Sequence, residues 1–359
     1  MATASDFVYV GSYTTGSGGH GRGIALAARD PETGRLEIRG IAAELGSPTF
    51  LGWHPTLPVL YATSEPDQTV SAFRADPGGA LRLLGAQDTG GELPCHVSVH
   101  PSGNFLCVAN YGSGSFSVHA LGPDGRLAGR RQVVHHDGSG PHESRQEGPH
   151  VHSTQPAPGG EYLIVADLGA DTVTSYPVDP LSGAVDERTA QVACTAPGAG
   201  PRHLAVDATA GRLYVSCELD STVTTFALEE GGARLRRLQS VPATAGPLSA
   251  PNFPSELCLG PAGRKLYVQN RGADVLSIFA VTTDGLRVVT DVPTGGHEPR
   301  HFALAGRHLY AGNQHSDTIA QFVIKPDGVP RPAGPAVALP SPACLLPEPP
   351  GGLARRHQR

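Results

Sequence analysis

The stretch LYVSCELDSTVTTF, Leu213 to Phe226, is a short apolar run that ends on polar residues and is followed at once by a second strand-like segment. The same unit recurs at a spacing of roughly fifty residues, within the range of propeller-type repeats. Its first part returns as FVYVGSY from Phe7, LYATSE from Leu60, LCVANY from Leu106, LIVADL from Leu163, LYVQNR from Leu266 and LYAGNQ from Leu309. Its second part returns as TVSAF at Thr69, SFSVH at Ser115, TVTSY at Thr172, VLSIF at Val275 and TIAQF at Thr318. Glycine-containing turns follow, such as DPETG at Asp30, DPLSG at Asp179 and PDG at Pro326, of the kind that joins antiparallel strands. No window carries sustained helical periodicity, so the chain reads as all-β, built of repeated four-stranded sheets.

A proline opens the first strand of each unit: PTFLGW at Pro48, PCHVSVH at Pro94, PHVHS at Pro149, PRHLAV at Pro201, PSELCL at Pro254 and PRHFAL at Pro299. The unit beginning at Phe7 has none ahead of it, and the far end of the chain supplies PACLL from Pro342. Pairing the two termini in one sheet closes the ring and removes its open edge. The expectation is a seven-bladed β-propeller, one domain over residues 1–348, with 349–359 as a flexible tail.

Composition agrees. The 359 residues are 39% hydrophobic and 17% charged, ample for a globular core, and 46 glycines with 33 prolines suit short strands and tight turns. A net charge of −6 argues against nucleic acid as a partner, and no apolar run is long enough to span a membrane. Six cysteines without a CxxC, and no export signal at Met1–Tyr13, imply reduced thiols and a cytoplasmic protein.

In each blade the first two strands run antiparallel, so the start of one lies beside the end of the other at one mouth of the channel. At the starts stand Thr49, Cys95, His96, His150, His152, Arg202, His203, Ser255, Glu256, Arg300 and His301. At the ends stand Ser64, Glu65, Asn110, Tyr111, Asp167, Glu218, Asn270, Arg271, Asn313 and Gln314. Polar groups gather there, which makes that mouth the candidate site. Glu218 and Arg202 fall at adjacent strand ends of one blade, as a salt bridge or as a base held in place. Arg202, Arg271 and Arg300 come from three blades and can surround a carboxylate or phosphate. His150 and His152 alternate along a strand and are expected on one side, where a neutral imidazole can move a proton near pH 7. By the same alternation His203 and His301 are expected to face away from Arg202 and Arg300. His54 and His100, in HP turns, read as structural.

The stretch HHDGSGPHESRQEGPHVHS, His135 to Ser153, carries five of the sixteen histidines. His150 and His152 with His142 or His96 would make a three-histidine zinc site. No HExxH and no Cys/His cluster supports one, so neither metal nor organic cofactor is assigned. The glycines and prolines suit a loop over the channel mouth, with Arg145 and Gln146 in reach of a substrate and His135, His136 and His142 on the surface.

VANYGSGSFSV, RQEGPHVHS, VADLGADTV, GPRHLAV, CELDSTV, QNRGADVLSIF and GNQHSDTIAQF, in that order, resemble the bacterial lactonase family of seven-bladed propellers. That family includes a type of 6-phosphogluconolactonase and is related to the 3-carboxy-cis,cis-muconate lactonizing enzyme. The resemblance implies a histidine at His150 or His152, arginines at Arg202 and Arg271, and a glutamate at Glu218 as the catalytic machinery. Cys217 stands where the family often has Asn.

The expected function is hydrolysis of a small anionic sugar lactone, with 6-phosphogluconolactone as the candidate substrate. Glu218 is the general base, His150 or His152 the proton donor, and Arg202, Arg271 and Arg300 the anion and oxyanion holders. His96, Asn110, Arg145, Asn270 and Asn313 are expected to complete the substrate contacts. The alternatives are lactonization or isomerization of an unsaturated acid, and a non-catalytic propeller that binds a ligand or protein. The sequence does not set the oligomeric state.

Overall fold

The computed structural model describes residues 6–247 and 250–349. The tail expected from 349 onward lies, from residue 350, outside the described residues. Within them stand seven antiparallel sheets and, as helix, only two three-residue 3-10 turns. In chain order, blade 1 spans Leu51–Asp88, blade 2 Pro94–His135, blade 3 Val151–Cys194 and blade 4 Pro201–Pro242. Blade 5 spans Phe253–Pro293 and blade 6 Pro299–Ala338, whose outermost strand is split into Pro330–Pro332 and Val337–Ala338. Blade 7 joins the termini: Pro342–Pro347 pairs antiparallel with Asp6–Ser12, with Tyr9 opposite Leu346 and Val10 opposite Leu345. The ring therefore closes by the pairing that the sequence implied.

The second strand of each blade is packed on both faces by its neighbours. Val59–Ser64, Phe105–Asn110 and His308–Asn313 are buried at every position, which is why they read as continuous apolar runs. The outermost strands, such as Arg234–Pro242, alternate towards solvent. Seven hydrophobic clusters fill the seven gaps between adjacent blades, including those from blade 7 to blade 1 and from blade 6 to blade 7. The tyrosine that recurs in the second strands adds a polar tie across four gaps. The hydroxyls of Tyr9, Tyr61, Tyr267 and Tyr310 donate to the carbonyls of Gly79, Gly125, Gly328 and Gly34, at 2.6–2.9 Å. Each of these glycines has a φ between 77° and 89°, so the tight turn that presents its carbonyl favours a residue without a Cβ. His54 and His100 tie blades as well, through Gly103 O at 3.2 Å and Gly160 O at 2.7 Å, in keeping with a structural role.

One local feature builds the site. The innermost strands carry a β-bulge just after they begin. The register steps from Pro94 to His96, Val151 to Ser153, Pro201 to His203 and Pro299 to His301. In blade 5 it steps from Pro254 to Leu257, across two residues. A bulge leaves an extra residue unpaired and re-aims its side chain. The extra residues are Cys95, His152, Arg202 and Arg300, and all four face the channel mouth.

Candidate active site at the channel mouth

The mouth holds a cavity of about 220 Å³. Its wall has three sources. The bulges supply Cys95, His152, Arg202 and Arg300, and the ends of the second strands supply Tyr13, Glu65, Tyr111, Glu218 and Arg271. Loops supply Leu93 and Arg145. The volume is below the ~300–1,000 Å³ usual for drug-sized ligands, so the site takes a small molecule.

Glu218 is the hub. Its Oε1 accepts a hydrogen bond from Arg145 Nη2 at 2.6 Å. Its Oε2 lies 2.9 Å from Arg202 Nε and 2.8 Å from Arg271 Nη2. Those last two are charge contacts rather than aligned hydrogen bonds. Of the buried donors on these two arginines, Arg202 Nη1 has neither a hydrogen-bond partner nor a carboxylate beside it in the described structure. Donors in that condition are costly unless something else accepts from them. Burial alone would raise the Glu218 pKa, but Arg271, Arg202 and Arg145 outweigh it and hold the carboxyl well below the usual carboxylate range. Burial, with the nearby Arg271 charge, pulls Arg202 down to about 10, which leaves it cationic at neutral pH. The Arg300 guanidinium carbon lies 4.8 Å from the centre of the Tyr13 ring, a cation–π distance. Tyr13 and Thr49 both donate to Glu65 Oε1, at 3.3 and 2.6 Å.

His152 and His150 part company, contrary to the expectation that they share a side. His152 is the bulge residue and lines the cavity. His150 precedes the strand, stacks on Tyr111 with ring centres 4.4 Å apart, and donates from Nδ1 to the Tyr111 carbonyl at 2.9 Å. Burial, Arg202, His203 and Arg300 lower the His152 pKa far below that of a free imidazole, so the ring is neutral. Burial pushes the Cys95 thiol up to about 12, so it is no thiolate at neutral pH.

Below this wall lies a second layer. His203 Nδ1 and His301 Nε2 both reach Glu256 Oε2, at 2.9 and 3.2 Å, and the Phe50 ring packs 4.1 Å from His96. Alternation places His203 and His301 opposite the arginines, but the bulge puts both on the channel side, one level deeper. His96 belongs to this layer. It is 8% exposed, packs against Phe50 and His203, and does not reach the cavity wall.

Asn110, Asn270 and Asn313 are also not on the wall. All three are fully buried and spend their amides inside the blades, on Ser115, Ser277 and the Thr294 carbonyl. The residue one further on points to the cavity instead, Tyr111 and Arg271 in two of the three blades. Asp167 is structural too. It accepts from the backbone N–H groups of His150, Gly169 and Ala170 and pairs with His136 at 2.8 Å. That pairing buries the His136 side chain to 6% exposure, where the sequence suggested a surface residue.

Tyr13 and Leu93 escape a reading of the sequence. Tyr13 ends FVYVGSY as Glu65 ends LYATSE, and extending the comparison to the blade shared by the termini finds it. Leu93 has no such signal. Among the described residues, no three His, Cys, Asp or Glu side chains converge as a metal-ligand set, and no helix is long and apolar enough to cross a membrane.

Residues 7–347 match the family model described as Lactonase, 7-bladed beta-propeller. A 6-phosphogluconolactonase of Bacillus subtilis is 34% identical over 299 residues, covering 82% of this chain and 83% of that protein. A 6-phosphogluconolactonase of Serratia proteamaculans is 30% identical over 274 residues, covering 76% and 78%. The solved structure of a periplasmic gluconolactonase of Pseudomonas aeruginosa superposes with a TM-score of 0.88 at 33% identity, covering 96% of this chain and 99% of that one.

Proposed function

The chain belongs to the seven-bladed β-propeller lactonase family, and from that premise we propose that it hydrolyses a small anionic sugar lactone, 6-phosphogluconolactone being the best fit. The observation that carries the reading is charge. Four arginines on the cavity wall face two carboxylates, Glu218 and Glu65. Among the wall residues the excess is two positive charges, part of which Glu298 offsets from 3.5 Å behind Arg271, in a site sized for a small molecule. A phosphomonoester brings about −1.5 to −2 at pH 7, whereas an unphosphorylated lactone leaves that excess unmatched.

Arg202, whose buried Nη1 has no partner among the described residues, and Arg271 hold the carbonyl oxygen as it becomes an oxyanion. Arg300 and Arg145 hold the anionic substituent. Water attacks the lactone carbonyl carbon while Glu218 takes its proton. Collapse of the tetrahedral intermediate breaks the bond from that carbon to the ring oxygen, and Glu218 returns the proton to the departing oxygen. The product is the open-chain hydroxy acid. A neutral His152 is no standing source of protons. It fits better as a hydrogen-bond partner that orients the ring oxygen, a change from the proton-donor role its sequence suggests.

Lactonization would use the same groups in reverse; the lactonase relatives favour the hydrolytic direction. The six cysteines are all free, which supports a reducing compartment. The test is turnover of freshly prepared 6-phosphogluconolactone above its spontaneous ring opening, beside unphosphorylated gluconolactone. The expected kcat/KM ratio is about 100 or more in favour of the phosphorylated lactone, the value of roughly two charge-assisted hydrogen bonds. Equal rates would sink the phosphate reading, and no rate on either would sink the lactonase reading.

A further inference from the structure

We infer that Arg145 exchanges Glu218 for the anionic group of the substrate, and that this exchange converts Glu218 from a clamped counter-ion into a working base. The inference rests on the hydrolytic reading above and adds a control step to the same site.

The three arginines around Glu218 are not equivalent. Arg202 and Arg271 stand on blade strands, with side chains 4% and 9% exposed, and Arg271 is fixed further by donating from Nε to Phe253 O at 3.2 Å. Both side chains are packed in, with little solvent to turn into. Arg145 comes from the loop ahead of blade 3, and its side chain is 34% exposed. It alone among the described residues makes an aligned hydrogen bond to the Glu218 carboxylate, and it holds Oε1 by itself. Its other contact is from Nε to the Tyr111 hydroxyl at 3.3 Å. The backbone beside it is pinned. Gln146 is fully buried and donates to Leu168 O and Asp171 Oδ1, both at 2.8 Å. The exchange therefore needs only rotation of one long side chain.

The chemistry calls for such a step. A carboxylate held by three guanidiniums is a poor acceptor for a proton from water, because a general base works best with a pKa near the working pH. An anionic substrate presents Arg145 with a competing acceptor at the open end of the cavity. As Arg145 turns to it, Glu218 loses one of its three cations while its burial persists, and the substrate's own negative charge approaches. Both changes raise its proton affinity, and the unchanged burial acts in the same direction. The other ionisable groups facing the cavity are Arg300, Glu65, Tyr13, Tyr111, His152 and Cys95. His203 lies beneath, and Glu298 pairs with Arg271 at 3.5 Å. Of the three arginines on Glu218, Arg145 is the one with substantial exposure to solvent.

Two measurements test the exchange, one independent of turnover. Calorimetry of inorganic sulfate binding, in buffers of different ionisation enthalpy at pH 5, reads proton uptake. Sulfate itself does not titrate there. Wild type is expected to take up protons on binding, and Glu218→Gln to take up fewer. Equal uptake in both, or no sulfate binding, overturns the inference. In steady-state kinetics, the acid limb of kcat/KM reports the free enzyme and that of kcat the complex. The wild-type acid limb is expected about one pH unit or more higher in kcat than in kcat/KM. Arg145→Ala should raise KM about 10- to 100-fold and shift the kcat/KM limb upward, with Arg145→Lys restoring it. A KM effect with an unmoved limb would make Arg145 a mere clamp and overturn the inference. Sulfate-linked proton uptake without lactone turnover would leave the exchange standing and remove the hydrolytic reading instead.

Discussion

Arg202 Nε sits 2.9 Å from Glu218 Oε2, and both side chains are 4% exposed. The two residues are neighbours because one is the extra residue of a bulge and the other ends the adjacent strand. The pair puts a fixed cation and a carboxylate at one point of the cavity wall. Arg202→Lys keeps a charge but loses the planar fork of donors. It is expected to lower kcat on the lactone about 100- to 1,000-fold, the cost of losing one oxyanion donor. Initial rates at saturating substrate check this, and a loss under threefold would remove Arg202 from oxyanion binding.

Glu218 also stabilises the fold by compensating three buried or half-buried arginines. Glu218→Gln should cost about 3–5 kcal/mol, the usual penalty for breaking a buried ion pair from one side. Urea unfolding measures it. Sulfate should restore more stability to the variant than it adds to wild type, because it supplies the missing negative charge. A variant as stable as wild type, with no differential sulfate effect, would contradict the charge account.

The buried histidines of the wall and of the layer beneath it predict acid lability. Burial is the main force pushing His96, His152 and His203 far below the ordinary imidazole range, and it takes His301 to about 4. Between the unfolded value near 6.5 and those lower folded values, the unfolded chain binds more protons than the folded one. Stability is therefore full above about pH 6.5 and falls as the pH drops, by up to about 1.4 kcal/mol per pH unit for each histidine. Glu256, raised chiefly by burial, acts in the opposite sense above the ordinary carboxylate range, as one group against four. Urea unfolding at pH 7, 6 and 5 should give a steep decline that His301→Gln makes shallower. A flat profile over that range would mean that these histidines bind as many protons folded as unfolded, which contradicts the burial account.

Ring closure depends on the last strand. Leu345 is 1% exposed and belongs to the cluster between blades 6 and 7. Leu345→Ala should cost about 2–5 kcal/mol, although the residue lies only a few positions from the last described residue. A cost below 1 kcal/mol in urea unfolding would show the closing strand to be dispensable.

The sequence discloses the architecture almost completely, because seven similar units impose their own alignment. The missing strand before Phe7 and the surplus one at Pro342 point to each other. Arg202, Glu218 and Arg271 are legible for the same reason, as is Arg145 from the loop that bears it. What escapes is parity. The bulges at Cys95, His152, Arg202 and Arg300 insert one residue into each inner strand, and simple alternation then assigns the wrong faces to His150, His203 and His301. At the second-strand ends Asn110 and Asn270 turn into the blades, and the next residue, Tyr111 or the correctly read Arg271, reaches the cavity. A bulge leaves no mark on hydrophobic periodicity when the strand around it is short and polar.

The most direct test of the account is the initial rate of 6-phosphogluconolactone hydrolysis by wild type and Glu218→Gln, in sulfate-free buffer with chelator, read above spontaneous ring opening. The account predicts rapid turnover by wild type and a loss of about 100-fold or more in the variant, the scale of general-base catalysis. Turnover in the variant equal to wild type would contradict it, since the hub of the site would then have no part in the reaction.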